Sequence, residues 1–283
     1  MTNFKLTGAN GDSITFDKTN YILNPNLLGM GIPPTAVRID ESSRVGGVHR
    51  YTRRAVRNVD LPVTVIGTDS ADVETKLRRL ARLTQDASGP TVLTALRDSG
   101  DLTLNVHYTG GAELEYGSDK AGDVWAKLLL SFQAPSPYWE SATTESFTVT
   151  SGNTGRGLLP QLTKLKVSSS QSLGVISVDN TSDVAVYPTF VVTGPITDAE
   201  VTLNGQGWKF TETVGAGEQF VVNHETATVV NTAGVNRYDI LDSLPKFFQI
   251  EPGTSGLLVL GTGTTADTSV ELTYNLAFEV VHG

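Results

Sequence analysis

Ala134-Pro135-Ser136-Pro137-Tyr138-Trp139 is the stretch whose reading decides the fold. Neither proline has a backbone N–H to donate, so the pair ends a strand and stiffens the segment after it. Ahead of it lie one amphipathic helical pattern and nearly all the arginine. After it comes a sequence rich in Gly, Ser, Thr and Val with short alternating segments. The expectation is a mainly β protein of two modules, residues 1–140 and 141–283, with Pro135, Pro137, Tyr138 and Trp139 at the junction.

Composition sets the bounds. The chain has 283 residues, 39% hydrophobic and 18% charged, which suits two folded soluble domains. No apolar run is long enough for a transmembrane helix, so no membrane insertion is expected. Met1-Thr2-Asn3-Phe4-Lys5 lacks a signal-peptide stretch, so synthesis and folding are expected in the cytosol. There is no cysteine, which excludes disulfides, thiolate zinc sites and cysteine nucleophiles. His49, His107, His224 and His282 form no local metal pair. The net charge of -9 is unevenly placed: residues 1–140 carry 15 basic and 16 acidic side chains, residues 141–283 only 6 and 14. The second half therefore repels nucleic acid. Arg50, Arg53, Arg54 and Arg57 form a basic cluster in the first half. It reads first as subunit-interface arginine, ahead of solvated surface or phosphate contact.

In the first half, Phe4–Leu6, Ile14–Phe16, Tyr21–Leu23 and Thr35–Ile39 read as strands. Leu27-Leu28-Gly29-Met30-Gly31-Ile32 is an apolar loop before Pro33-Pro34. Tyr51–Val59 reads as a strand that Asp60-Leu61-Pro62 interrupts. The helix starts at an Asp69 or Ser70 cap, with Asp72 and Glu74 in its first turn, where free N–H groups favour acids. Val73, Leu77, Leu80 and Ala81 make one apolar stripe. Such a helix most simply covers a sheet. Thr91–Leu96 and Leu102–Val106 are strands. Thr109-Gly110-Gly111 reads as a hairpin turn before a strand Ala112–Tyr116, then a turn over Gly117–Gly122 and a long strand over Val124–Phe132.

The second half repeats short strands at regular spacing, as a β-sandwich requires. Its segments include Glu145–Thr150, Leu162–Val167, Gly174–Val178, Tyr187–Val192, Gln219–Asn223 and Ser269–Val281. Ser151–Pro160 reads as a loop. Asn204-Gly205 is a hairpin turn between Val201–Leu203 and Trp208–Thr211.

Nothing here forms a catalytic centre. No Walker or nucleophile-elbow motif occurs. Glu113 and Glu115 share a strand face but read as an acidic solvent face rather than a glycosidase pair. Asp179 and Asp183 flank a turn that reads as solvated, not as a calcium loop. Next to Glu225, His224 reads as a polar turn. Tyr187, Trp208 and Tyr238 are candidates for a carbohydrate-stacking platform, against the plainer reading of core or edge packing.

Tyr51-Thr52-Arg53-Arg54, Pro62-Val63-Thr64-Val65, Leu77-Arg78-Arg79-Leu80 and Gly89-Pro90, in that order, resemble the first domain of the distal tail proteins of long-tailed, non-contractile bacteriophages. Tyr108-Thr109-Gly110-Gly111, Lys127–Phe132 and the exit Ala134–Trp139 continue the resemblance; Ser136 stands where that family commonly has aspartate. Val178-Asp179-Asn180, Tyr187-Pro188, Val192-Thr193-Gly194-Pro195, Gly217-Glu218, Gly234–Asp239, Phe247-Phe248 and Glu251-Pro252-Gly253-Thr254 resemble the family's galectin-like sandwich. The asparagine usual near Thr254 and Ser255 is missing.

The resemblance implies a ring-forming antiparallel β domain with one covering helix, followed by a galectin-like β-sandwich. It implies structural work in the virion, at the distal end of the tail. A ring, usually a hexamer, would join the tail-tube protein to the tail-tip hub protein and anchor receptor-binding parts. No enzyme activity, cofactor or sequence-specific nucleic-acid binding is expected. A closed ring needs a heterologous interface. Tyr51, Arg53, Arg54 and Arg57 are its first candidates, and Leu27, Leu28 and Met30 its second. The alternative is another minor tail protein whose sandwich binds host-surface glycan.

Overall fold

The computed structural model describes residues 3–41, 45–85, 89–114, 123–151 and 172–281. The expected strand Leu162–Val167, the turn Gly117–Gly122, most of the loop Ser151–Pro160, the end of the strand Ala112–Tyr116 (with Glu115), and His282 lie outside those residues. The chain divides into two units: Met1–Thr143 with Ala277–Gly283, and Thr144–Leu276. This division differs from the expectation in two ways. Passage into the second unit comes after Thr143, slightly past the expected boundary at 140/141, and the last residues return to the first unit. The return has visible causes. Val281 donates its N–H to the Met30 carbonyl at 3.0 Å. Phe278 and Val281 pack against the first core.

The first unit contains β1 (Asn3–Thr7), β2 (Ser13–Thr15), β3 (Tyr21–Leu23), β4 (Thr35–Glu41), β5 (Gly47–Arg54), β6 (Arg57–Ile66), α1 (Ser70–Leu83), β7 (Thr91–Leu96), β8 (Leu102–Gly111), β9 (Trp125–Ala134) and the start of β10 (Trp139–Thr150). All its pairings are antiparallel. β8 joins two groups of strands: Leu102–Val106 pair with β7, and His107–Gly111 pair with β9. β7 continues to β1 and β2, and β9 to β6 and β3. Period-two alternation buries Val59, Leu61, Val63 and Val65 of β6 against Leu93, Leu104, Leu130 and Phe132.

Two expected breaks fall elsewhere. Pro62 does not interrupt β6, which runs through it opposite Leu129. The Pro62 carbonyl accepts from Asn24 N–H. Its missing N–H faces the same neighbour, so the proline forgoes only the reciprocal bond to Asn24, just past the end of β3, and the pairing with β9 on the other side continues. The break comes instead at Ala55-Val56, between β5 and β6. Likewise Gly110-Gly111 is not a hairpin turn. Both stay paired with β9 after a register shift between Tyr108 and Gly110, with φ of 146° and 86°. The two glycines make a bulge that re-aims β8.

Helix α1 starts as expected. Asp69 is its cap and accepts from the Asp72 N–H at 2.9 Å. Asp72 reaches back to accept from the Thr68 N–H at 2.9 Å, satisfying a second free donor. Val73, Leu80 and Leu83 are its buried residues. Ala81, expected on the stripe, is exposed, and Leu83 takes its place. The helix covers the sheet, with Lys76 Nζ on the Ile66 carbonyl at 2.8 Å.

At the proline pair, Ser136 Oγ accepts the Tyr138 N–H at 3.3 Å, a turn that serine or aspartate can make. Trp139 is fully buried in the core of the first unit. Its indole N–H has no acceptor among the described residues. Tyr138 is half-buried.

The second unit holds β11 (Ser172–Asn180), β12 (Thr189–Thr193), β13 (Thr197–Leu203), β14 (Gln206–Lys209), β15 (Gln219–Asn223), β16 (Thr228–Asn231), a 3-10 turn (Tyr238–Ile240), β17 (Gly253–Thr262) and most of β18 (Ser269–Phe278). One sheet runs β11-β17-β13-β14, and another group runs β16-β15-β12-β18. Rings from both meet inside: Phe190 of β12 lies 5.8 Å from Trp208 of β14, and Phe210 lies 5.7 Å from Phe220 of β15. The Asn204-Gly205 turn forms as expected, with both residues at positive φ (53° and 76°).

Candidate functional site

Two places stand out. The first is the β4–β5 ribbon. Among the described residues these strands pair only with each other, from Thr35 opposite Arg54 to Glu41 opposite Gly47. Every residue from Gly47 to Arg53 is exposed. So are Val37 and Ile39 on the facing strand, at 54% and 58%. An isolated two-stranded ribbon is marginally stable in water. The ion pairs Arg38–Asp40 and Arg50–Asp40 sit at the surface, where such pairs contribute little. The ribbon thus presents apolar side chains, unpaired strand edges and arginines that nothing in the described chain covers.

The interface candidates separate here. Tyr51 and Arg53 lie exposed on the ribbon. Arg54, at its base, is half-buried, donating to Thr35 Oγ1 at 2.8 Å and ion-pairing with the Glu279 carboxylate. Arg57 is 1% exposed. It donates through Nε to the Pro137 carbonyl at 2.8 Å, through Nη1 to the Gly29 and Gly31 carbonyls, and through Nη2 to the Glu279 carbonyl at 2.7 Å. Burial pushes its pKa down, with Glu279 opposing. It is an internal staple of four chain segments, not a contact surface. Gly29 is needed there: a Cβ would come within 2.3 Å of the Asn58 carbonyl. Leu27 and Met30 turn inward against the core, while Leu28 points out at 58% exposure.

The second place is a cleft of about 460 Å³ in the second unit. An antiparallel bridge pairs Val186 with Ile250, both buried. Alternation then turns Tyr187, Gln249 and Glu251 to the outside together. The Asn204-Gly205 turn sets Asn204 and Gln206 at another wall. Lys246 donates its N–H to the Gly207 carbonyl at 2.7 Å, which holds Phe247 alongside.

The three aromatic candidates do not form one platform. Tyr187 lines the cleft at 46% exposure. Tyr238 is exposed, with its ring 6.3 Å from that of Phe247. Trp208, however, is 1% exposed and lies in the core. Its Nε1–H donates to His224 Nε2 at 3.0 Å. His224 is therefore not a surface turn residue. It is buried, with Nε2 an acceptor and Nδ1–H donating to the Phe248 carbonyl at 3.0 Å. Burial lowers its pKa from 6.5 to about 4, with the Phe248 bond opposing. Nothing in the local sequence marks Phe247, His224, Gln206 or Gln249 as members of one region. Only long-range pairing brings them together.

Among the described residues no group of three His, Asp or Glu side chains could hold a metal ion. No described helix is long and apolar enough to cross a membrane.

No protein family matches the sequence, and no curated protein is significantly similar to it. Solved structures are similar in fold. The SPP1 Dit protein, described as a paradigm of the hub adsorption apparatus of phages infecting Gram-positive bacteria, superposes with a TM-score of 0.68 at 15% identity, over 97% of this chain and 99% of its own. A chain of the phage P2 baseplate in its calcium-activated conformation superposes with a TM-score of 0.56 at 11% identity, over 99% of this chain and all of its own. The strontium form of that baseplate gives the same values. Along nearly its whole length, then, through both units, this chain has the fold of the SPP1 Dit protein.

Proposed function

We propose that this protein is a structural component of a bacteriophage tail tip, a ring that joins the end of the tail tube to the tip hub. One observation carries the reading: the likeness to the SPP1 Dit protein spans both chains almost end to end. A single shared β domain would not specify this role, because one fold hosts many functions. A likeness that runs through two successive units is a narrower correspondence. The galectin-like character of the second unit, the hexameric count and the neighbours in the tail belong to this proposal.

The ribbon supports ring formation. A heterologous ring needs a patch on each subunit that meets a different patch on the next. The ribbon offers Val37, Ile39, Val48 and Tyr51 with Arg53 beside them, apolar and aromatic anchors with an arginine. Arg57 and Arg54 act inside the subunit and leave the interface set. Leu28 remains in it. The first unit builds the ring, and the second carries outward parts, receptor-binding ones included.

Native mass measurement tests this directly. The wild-type protein assembles into a closed ring, whereas the double variant Tyr51→Ala/Arg53→Glu stays monomeric with unchanged circular dichroism. A variant that still closes the ring removes the ribbon from the interface. Images of the particle that place the chain elsewhere than between tube and tip overturn the role itself.

A further inference from the structure

We propose that the cleft of the second unit binds a neutral hexopyranose sugar, held by Tyr187, Gln206, Phe247, Gln249 and Glu251. This goes beyond the ring role and does not depend on it.

The polar groups of the cleft are unspent. The side chains of Asn204, Gln206, Gln249 and Glu251 form no hydrogen bond or ion pair with the described protein, and neither does the Tyr187 hydroxyl. Elsewhere on this unit comparable groups are used locally: Asn231 accepts from Val235, Glu218 from Gly215, and Arg237 pairs with Glu212. Several free amides and one free carboxylate around one concavity form a recognition set rather than a structural network.

Their chemistry selects the ligand. Amides both donate and accept, and a carboxylate accepts two hydroxyl protons at once, the pattern that a vicinal diol satisfies. No Lys or Arg lines the cleft, which disfavours phosphate, sulfate or uronate. A lone carboxylate is too few ligands for a cation such as calcium. The rings of Tyr187 and Phe247 supply the apolar face on which the C–H side of a pyranose rests. The volume of about 460 Å³ takes one or two sugar rings.

The cleft is also rigidly supported. Beneath it Phe248 is buried, and His224 holds its carbonyl on one side and the Trp208 indole on the other. The walls are fixed by the Val186–Ile250 bridge and by the tight Asn204-Gly205 turn. Binding therefore costs little ordering of backbone.

Saturation-transfer NMR on the full chain, with galactose, glucose, N-acetylglucosamine and their disaccharides as probes and glucuronate as the anionic control, tests the site. At least one neutral sugar receives transfer, strongest at the protons of its C–H face, and glucuronate receives none. Tyr187→Ala and Gln249→Ala, two surface changes, each weaken that sugar about tenfold or more. Glu74→Gln, on the exposed face of α1 in the other unit, leaves it unchanged. Absence of transfer to every neutral sugar overturns the proposal, as does binding that survives both cleft variants with the fold intact. Either result leaves ring assembly, read separately by native mass, untouched.

Discussion

Arg57 and His224 are both polar, both buried, and both misplaced by local sequence. An arginine three residues after Arg53-Arg54 reads as part of a surface cluster. Its acceptors, at Gly29, Gly31, Pro137 and Glu279, come from three distant segments that no local pattern announces. His224 sits beside Glu225 at the end of β15, where turns are common, yet its ring bridges Trp208 and Phe248. One consequence is pH dependence. With a folded pKa near 4, below the ordinary 6.5, the unfolded chain takes up a proton that the folded one refuses. The stability this group supports is full above about pH 6.5 and falls as pH drops toward 4, by about 2 kcal/mol between pH 7 and 5. His224→Gln keeps an acceptor for Trp208 but does not titrate. Hydrogen exchange of the β12 and β15 amides is expected to accelerate at pH 5 in the wild type, with a smaller pH effect in the variant. Equal pH dependence in both would assign the acid sensitivity to other groups.

Elements were legible wherever local chemistry decides them. The cap at Asp69, the alternation of β8 and the Asn204-Gly205 turn each rest on residues within a few positions of one another. Pro62 and Gly110-Gly111 misled for the same reason in reverse. A proline costs a strand only the bond its own N–H would make, and Pro62 forgoes one bond, to Asn24 at the end of β3, while its pairing with β9 continues. A glycine pair permits a turn without requiring one, and here it makes a bulge inside a paired strand. The helix supplies the element-level prediction. Asp69→Ala removes the acceptor for the Asp72 N–H and is expected to cost about 1 kcal/mol. Asp69→Asn or Asp69→Ser, which keep an acceptor, cost much less. Urea unfolding of the first unit measures both. Equal losses for Ala and Asn would show that the carboxylate charge, rather than the cap bond, matters at this position. Of the ribbon, Thr35–Ile39 was legible as a strand, but Tyr51–Arg54 was legible only as the start of a strand running to Val59, and the free-standing pair was not legible, because exposure on both faces depends on what fails to pack there.

For the whole molecule, the two-module plan was readable from the proline pair, but the path of the chain was not. Sequence alone ends the second module with the closing strand. Instead Ala277–Gly283 belong to the first unit. That segment is short and ordinary in composition, and its value lies in partners far away in sequence. Ending the chain at Leu276 withdraws the Glu279 carbonyl from Arg57, the Glu279 carboxylate from Arg54 and the Val281 N–H from Met30, and it uncovers the core where Phe278 and Val281 pack. A buried guanidinium that loses an acceptor costs more than a surface pair that loses its partner. The truncation is therefore expected to lower the stability of the first unit by about 3 kcal/mol or more. The second unit, which keeps β12, β15 and the His224 cluster, retains its amide protection. Glu279→Gln separates the contributions: it keeps the backbone carbonyl for Arg57 but removes the carboxylate that pairs with Arg54 and favours the charged form of Arg57, for a smaller cost than the truncation. Hydrogen exchange read unit by unit distinguishes the two variants. Equal loosening of both units by the truncation would mean that they unfold as one body and that the closing segment stabilises the chain as a whole.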